Sequence, residues 1–335
     1  MQHYADQNLE NLLGIRILST ASTLPERIVT NAEMEKIVDT SDEWITKMTG
    51  MKERHFLSGS ESFIGCVFET SKNAIAEANL VPNDIDLIII GTSTPEQIMP
   101  STASILQGML GIKNCIAFDL QAACSGFVYA LTSAYYFMQA NPAINKALVL
   151  GADALSKVLD WKDRTTCVLF GDGFGGVVIG RDANSKGILF CELGCDGAGK
   201  EHLEIPWGVA QGMDKSYEEN HYLIMNGREV FKNSVTYFTQ IIQSALEKNH
   251  YTIDDIDWII PHQANARIIQ SVAERLNLPA EKLVTTLDKH SNTSAASIPL
   301  ALDCVVKEGK IKRGDKLMLV GFGAGYTWGV VILEY

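Results

Sequence analysis

No apolar run in the 335 residues approaches the roughly 18 that a bilayer-crossing helix needs, so a membrane role is not expected. The opening stretch, MQHYADQNLENLLGI, has neither a basic start nor an apolar segment before a small-residue cleavage site, and export is not expected either. Seven cysteines, an odd number, include no CxxC pair. That argues against a disulfide scaffold or a paired-cysteine metal site and predicts reduced thiols in the cytoplasm. Positive charge is in short supply: 28 Lys and Arg face 40 Asp and Glu, a net charge of −12. Nucleic acid is therefore not expected as a partner, and any acidic partner must find a local basic patch. What the chain does have is apolar material. At 46% hydrophobic and 20% charged, it can bury a large core, as two ordinary domains or one duplicated unit.

The segment NDIDLIIIGTSTP (Asn83–Pro95) is echoed by DDIDWIIPHQANA (Asp254–Ala266). In each, an Asp-Ile-Asp turn feeds a short apolar run that reads as a buried strand. Helical patterns precede both, in Glu69–Ala78 and Glu229–Glu247, and a small-residue turn with a second helix follows both. A further echo, FGDGFGGVVIG (Phe170–Gly180) and GFGAGYTWGVVILEY (Gly321–Tyr335), closes each half with a glycine-rich turn and an apolar strand. Alternating strands and helices predict mostly parallel sheets covered on both faces. The division is an N-terminal extension at 1–13 and two halves, 14–184 and 185–335, packed about a pseudo-twofold axis. Two unrelated domains with similar turns are the alternative. In a duplicated α/β fold, strand ends from both halves meet, and reactive groups collect there.

Three residues stand at such ends. Cys124, in LQAACSGFVYAL, precedes a helix-spaced apolar run over Ser125–Gln139, central enough to be apolar on much of its circumference. As a lone cysteine it reads as a packing residue. At a helix N-terminus, free N–H groups and the dipole favour a reactive thiolate. His262 closes the second echo strand in IIPHQANARI, where the plain reading is a hydrogen-bonded structural histidine. Asn292 lies in Ser291-Asn292-Thr293-Ser294, an ordinary helix cap on its face, but in the turn that corresponds to the one holding Cys124. Their convergence from two halves outweighs any one of them.

Other motifs fail on context. Gly171–Gly176 satisfies GxGxxG, yet a strand follows where a dinucleotide site needs a helix. GCDGAGKE (Gly194–Glu201) approaches a phosphate-binding loop, but Glu201 stands where a magnesium-binding hydroxyl belongs. A papain-like Cys…His…Asn order is contradicted by the local sequence AACSG. No His/Cys cluster has metal spacing.

The motifs DTSDEWI, DLQAACSGFVYAL, FGDG, MNGREVFK, PHQANARI, SNTSAASIPLAL and FGAGYTWG, in this order from about residue 14 to the C-terminus, resemble β-ketoacyl-acyl-carrier-protein synthase III, the condensing enzyme that starts bacterial fatty-acid synthesis. The resemblance implies a thiolase-like fold, a five-layered α-β-α-β-α arrangement of two duplicated halves, and a homodimer. It implies that Cys124 is the nucleophile that holds an acyl group as a thioester. His262 and Asn292 match the pair that stabilises the enolate of the decarboxylated malonyl group. Backbone N–H groups of Cys124 and Ala324 match the oxyanion donors. Ala324 stands where the family has the middle glycine of a triple-glycine loop, a change a backbone donor survives if the dihedrals suit alanine. Phe322 matches the aromatic residue over the active cysteine. For coenzyme A, the matching residues are Trp44, Arg164, Gly227 and Asn265; for docking of acyl carrier protein, Lys232 and Arg267. Met48 replaces an arginine expected at the nucleotide phosphates, and Lys47, a point charge, does not reproduce its fork of donors. The implied substrates are an acyl-CoA thioester, short in chain, and the malonyl group on the carrier's phosphopantetheine arm, with no cofactor and no metal. The alternative within the fold is a paralogue that takes a longer or carrier-bound acyl donor. A nucleotide-binding oxidoreductase resting on GDGFGG is the alternative outside it. On the first reading NAD(P)H leaves the fluorescence of the five tryptophans unquenched; saturable quenching would favour the oxidoreductase.

Overall fold

The computed structural model describes residues 14–212 and 221–335, and the extension 1–13 lies outside them. The first half supplies strands β1 (Gly14–Thr23), β2 (Arg27–Thr30), β3 (Glu53–Phe56), β4 (Leu87–Gly91), β5 (Ile116–Leu120), β6 (Lys146–Ala154) and β7 (Asp172–Asp182). The second supplies β8 (Ile188–Cys195), β9 (Leu203–Glu204), β10 (Ile224–Met225), β11 (Trp258–Pro261), β12 (Lys316–Gly323) and β13 (Thr327–Glu334). Strands β2 with β3, and β9 with β10, are small antiparallel ribbons. The others form two sheets of orders β1-β7-β6-β4-β5 and β11-β12-β13-β8.

Reversing the second order shows the repeat: β8, β13, β12 and β11 stand as β1, β7, β6 and β4 do. Pairing is parallel between β4 and β6 and between β11 and β12. It is antiparallel between β6 and β7 and between β12 and β13. The counterpart of β5 is reduced to one parallel bridge, Ile259 to Leu283. Carboxylates of the two Asp-Ile-Asp turns stitch each half alike: Asp86 accepts from the N–H of Lys146, and Asp257 from that of Lys316.

Successive side chains of a strand face opposite ways, which separates the cores into layers. Leu87 and Ile89 of β4 join Leu317 and Leu319 of β12 in a central core with helices Gly126–Ala140 and Ser297–Lys307. Ile88 and Ile90 pack outward with helices Phe63–Glu77 and Thr102–Leu110. On the other side Met318 and Val320 pack with helices Gly227–Lys248 and Ala266–Leu276. The result is the α-β-α-β-α order, and each fully buried Ile or Leu contributes roughly 1.5–3 kcal/mol. The motif Gly171–Gly176 runs into β7 rather than a helix, and GCDGAGKE leaves β8 into a short 3-10 turn, Gly197–His202.

The two helices of the central layer approach the opposite half at backbone distance. A Cβ on Gly151 in β6 would lie 2.1 Å from the Ala295 carbonyl oxygen, a contact no side-chain rotation relieves. Gly151→Ala is expected to cost about 3 kcal/mol, read as a lowered urea midpoint.

Candidate active site

Cys124 sits in a 3-10 turn, Ala123–Ser125, that leads directly into helix Gly126–Ala140. The turn Ser294–Ala296 leads in the same way into helix Ser297–Lys307. Both begin on a non-glycine residue in the left-handed region, Ala123 at φ 46° and Ser294 at φ 51°. These are 171 residues apart, as are Asn79 and His250, also left-handed (294 − 123 = 250 − 79). Strained backbone of this kind persists where surrounding structure holds it, commonly at functional sites.

Ser294 joins the predicted residues. Its hydroxyl lies 3.5 Å from the Cys124 sulfur, and its N–H donates to Asn292 Oδ1 at 2.9 Å. Asn292 is anchored in turn, its N–H on the Leu169 carbonyl and its own carbonyl on the Gly171 N–H. His262, just after β11, donates its N–H to Val320, and its Nδ1 lies 2.6 Å from the Ser297 hydroxyl. Cysteine and asparagine thus meet at one turn, and histidine is held at the head of the helix that the turn begins. All three are buried: Cys124 is 8% exposed, Asn292 6% and His262 2%.

Burial decides their ionisation. Desolvation pushes the Cys124 thiol up to about 12, against the opposing effect of hydrogen bonds from Ser294 and its own N–H. The helix-end argument for a resting thiolate is therefore overridden, since removing the sulfur from water costs the anion more than nearby N–H groups return. Burial lowers His262 to about 3, so the imidazole is neutral.

A cavity of about 980 Å³ opens onto Cys124, Ser294 and Ala324. Leu155, Phe170, Leu203, Trp207 and Leu223 give it an apolar wall, and Ser93–Glu96 with Ile98 line another side. Ala324 is absent from the left-handed residues, so alanine fits there without strain; its neighbour Gly325 has φ 127°. Gly323 cannot change so freely, because a Cβ there would come within 2.7 Å of the Cys124 nitrogen. Phe322 packs with Tyr237 and Tyr326 in the core of the second half.

The residues matched to coenzyme and carrier lie along a separate rim around helix Asp42–Thr49, and none of them lines that cavity. Arg164 lies over the Trp44 ring at 5.5 Å and is tied to the Asp39 carbonyl. One turn along helix Asp42–Thr49, the Met48 carbonyl accepts from Asn265. The Met48 sulfur lies 3.8 Å from an Arg267 nitrogen, and Arg267 covers Phe231 at 5.6 Å. Gly227 and exposed Lys232 share a helix with Phe231. Sequence reasoning missed two buried polar groups. Ser294 was read as part of a cap. Asp153, 0% exposed, was passed over, although a carboxylate in the apolar run KALVLGADA is the signal that could have found it.

Five layers built from two halves, with a buried cysteine, histidine and asparagine drawn to their crossing, define a condensing enzyme of the thiolase-like class. The comparisons narrow this. A profile described as 3-oxoacyl-[acyl-carrier-protein (ACP)] synthase III matches residues 118–197, and one for its C-terminal part matches 246–335. Beta-ketoacyl-[acyl-carrier-protein] synthase III of Alkalilimnicola ehrlichii is 46% identical over 96% of this chain and 99% of its own. That of Xanthomonas campestris is 48% identical over 96% and 98%. The crystal structure of 3-oxoacyl-[acyl-carrier-protein] synthase III from Aquifex aeolicus superposes with a TM-score of 0.89 at 44% identity, covering 96% of this chain and 100% of that one. The chain belongs to the β-ketoacyl-acyl-carrier-protein synthase III family of condensing acyltransferases.

Ala324→Gly is expected to leave acyl transfer within about threefold, whereas Gly323→Ala should abolish it; steady-state rates on the two variants check this. Buried His262 and His290, the latter lowered to about 4 chiefly by burial, stay neutral in the folded chain but take up protons on unfolding below about 6.5. Their stabilising contribution is complete above that pH and is lost as pH falls towards 4. The urea midpoint should drop between pH 7.5 and 5, and less so in His290→Gln.

Proposed function

We propose that this chain catalyses a decarboxylating Claisen condensation: an acyl donor and malonyl-acyl carrier protein give a 3-oxoacyl-carrier product and CO₂, the step that initiates fatty-acid synthesis. The observation that supports this reading is Ser294, whose hydroxyl lies 3.5 Å from the Cys124 sulfur and whose N–H holds the Asn292 carboxamide oxygen, with Cys124 and Ser294 both lining an apolar cavity. Cys124 attacks the donor thioester, the donor's thiol leaves, and the acyl group stays on sulfur. The malonyl carboxylate then departs as CO₂, and its electron pair forms an enolate.

Two groups are oriented to meet that enolate oxygen. Asn292 Oδ1 is engaged by the Ser294 N–H, so the Nδ2 hydrogens are turned away from it and free to donate. In the tautomer that serves this step, Ser297 Oγ accepts from the Gln263 N–H and gives its own proton to His262 Nδ1, so that the neutral ring carries its hydrogen on Nε2. Such donors aimed at developing charge in a dry site are each worth about a hundredfold or more. The carbanion attacks the acyl carbonyl on Cys124, and N–H groups of Cys124 and Ala324 receive the tetrahedral oxyanion. The reaction so read uses two thioesters and no metal or redox cofactor.

Arg164, Trp44 and Asn265 serve the coenzyme, and Lys232 and Arg267 the acidic carrier, for which the rim supplies the local positive charge that a net −12 chain otherwise lacks. With Met48 where a guanidinium is expected, and a cavity far larger than a two-carbon group fills, a medium-length or carrier-bound donor is the second reading. A homodimer is supported by β5 at the edge of its sheet and by exposed Met109, Ile116, Tyr136 and Phe137 beside it. All seven cysteines are free, which supports a reducing compartment, the cytoplasm.

Cys124→Ser should abolish acyl transfer, and Cys124→Ala should retain malonyl decarboxylation. His262→Ala should lose decarboxylation by at least about a hundredfold while Cys124 still acylates. Intact mass after exposure to acetyl-, octanoyl- and decanoyl-donors reads the acylation, and CO₂ release from malonyl-carrier reads the decarboxylation; a histidine variant that condenses normally removes this assignment. Acylation confined to medium chains selects the second reading.

A further inference from the structure

The condensation needs two oxyanion donors aimed at one point, and they belong to opposite halves. Cys124 stands in the turn Ala123–Ser125, and Ala324 in the short loop between β12 and β13. That loop closes where Gly323 pairs with Thr327. Thr327 also pairs with Cys195 of β8, so its backbone is fixed from both sides, and its β-branched side chain has few rotamers to choose from. The Thr327 hydroxyl lies 2.8 Å from the Ala122 carbonyl oxygen and 3.3 Å from that of Ala324. A second hydroxyl crosses the other way, from Ser125 to the Thr327 carbonyl at 3.0 Å. Ala122 and Ser125 flank the nucleophile. Among the described residues, Thr327 is the one side chain that bonds both the nucleophile's turn and the oxyanion loop.

We propose that Thr327 is a positioning residue for the oxyanion site: its hydroxyl clamps the Ala324 loop of one half onto the Cys124 turn of the other, so that both N–H groups face the same oxygen. The inference rests on reading Cys124 as the nucleophile and Ala324 as its fellow donor. With Gly323 held in the sheet on one side and the Ala324 carbonyl held by Thr327 on the other, the swing of the Ala324 N–H is limited. On the facing turn, the Ala122 carbonyl takes the Ser125 N–H at 3.0 Å as well as the Thr327 hydroxyl. The two halves meet here at backbone distance. A Cβ on Gly323 would lie 2.7 Å from the Cys124 nitrogen and 3.2 Å from Thr327 Oγ1, so no side chain fits between the donors as a spacer. Negative charge appears on the thioester oxygen when Cys124 attacks the donor, and again when the carbanion attacks the acyl group. Donors held in place beforehand lower both barriers. The malonyl step puts its charge on another oxygen, the one met by His262 and Asn292, and does not use the clamp.

Thr327→Val is the informative variant, since valine keeps the branched shape and the strand preference and removes the donor; Thr327→Ser keeps the donor. In single-turnover acylation of Cys124, Thr327→Val should lower the maximal rate about thirtyfold at an unchanged half-saturating donor concentration, and Thr327→Ser should recover most of it. Alkylation of Cys124 by iodoacetamide is a displacement at a saturated carbon and makes no oxyanion, so both variants should react at the unsubstituted protein's rate. Release of CO₂ from malonyl-carrier should fall far less than acylation. Acylation of Thr327→Val at the unsubstituted rate, a serine variant as slow as the valine one, or alkylation that falls along with acylation would overturn the clamp. Acetyl transfer from p-nitrophenyl acetate to Cys124 passes through the same tetrahedral oxyanion without coenzyme or carrier. Should the unsubstituted protein take acetyl at Cys124 from this ester but from no thioester, the condensing reading falls, and the ester rates of the two variants still decide the clamp.

Discussion

Two left-handed residues, one from each half, anchor the structure. Ala123 and Ser294 each bend the chain sharply just before a central helix, and the two bends lie against one another so closely that the Ser294 hydroxyl reaches the Cys124 sulfur. Backbone in this region costs about 1–3 kcal/mol per non-glycine residue, and tight packing around it keeps it from relaxing. Without that crossing the central helices would not begin where they do.

Much of this was legible in the sequence, for identifiable reasons. Buried strands announce themselves as apolar runs, and the Asp-Ile-Asp turns before β4 and β11 mark the duplication because each carboxylate stitches a neighbouring strand. His262 stood out because it ends an apolar strand, Cys124 because it stands before a long apolar helix, and Asn292 because the repeat places it in the turn corresponding to that of Cys124. The ionisation of Cys124 did not follow, since a helix end is visible in a string of residues and depth of burial is not. Ser294 was hidden for a related reason: serine before a helix is so ordinary as a cap that a side chain facing the other half cannot be told apart from it. The layer order was carried by the resemblance rather than by periodicity, because alternation shows that a strand has two buried faces and not what lies on each.

The rim illustrates how one substitution reorganises its neighbours. A guanidinium at position 48 would repel that of Arg267, which lies against this side chain. Methionine instead lets Arg267 settle against sulfur and Phe231, its Asn265 neighbour held by the Met48 carbonyl.

The duplication is imperfect at one place. In the first half β5 stands at the margin of its sheet, while in the second its counterpart survives only as the bridge from Ile259 to Leu283. Had both margins kept a full strand, identical molecules could have zipped onto one another at either end and grown without limit. With that counterpart degenerate the repeat is asymmetric: β5 presents a full strand edge, and β11 is covered only at the bridge from Ile259 to Leu283.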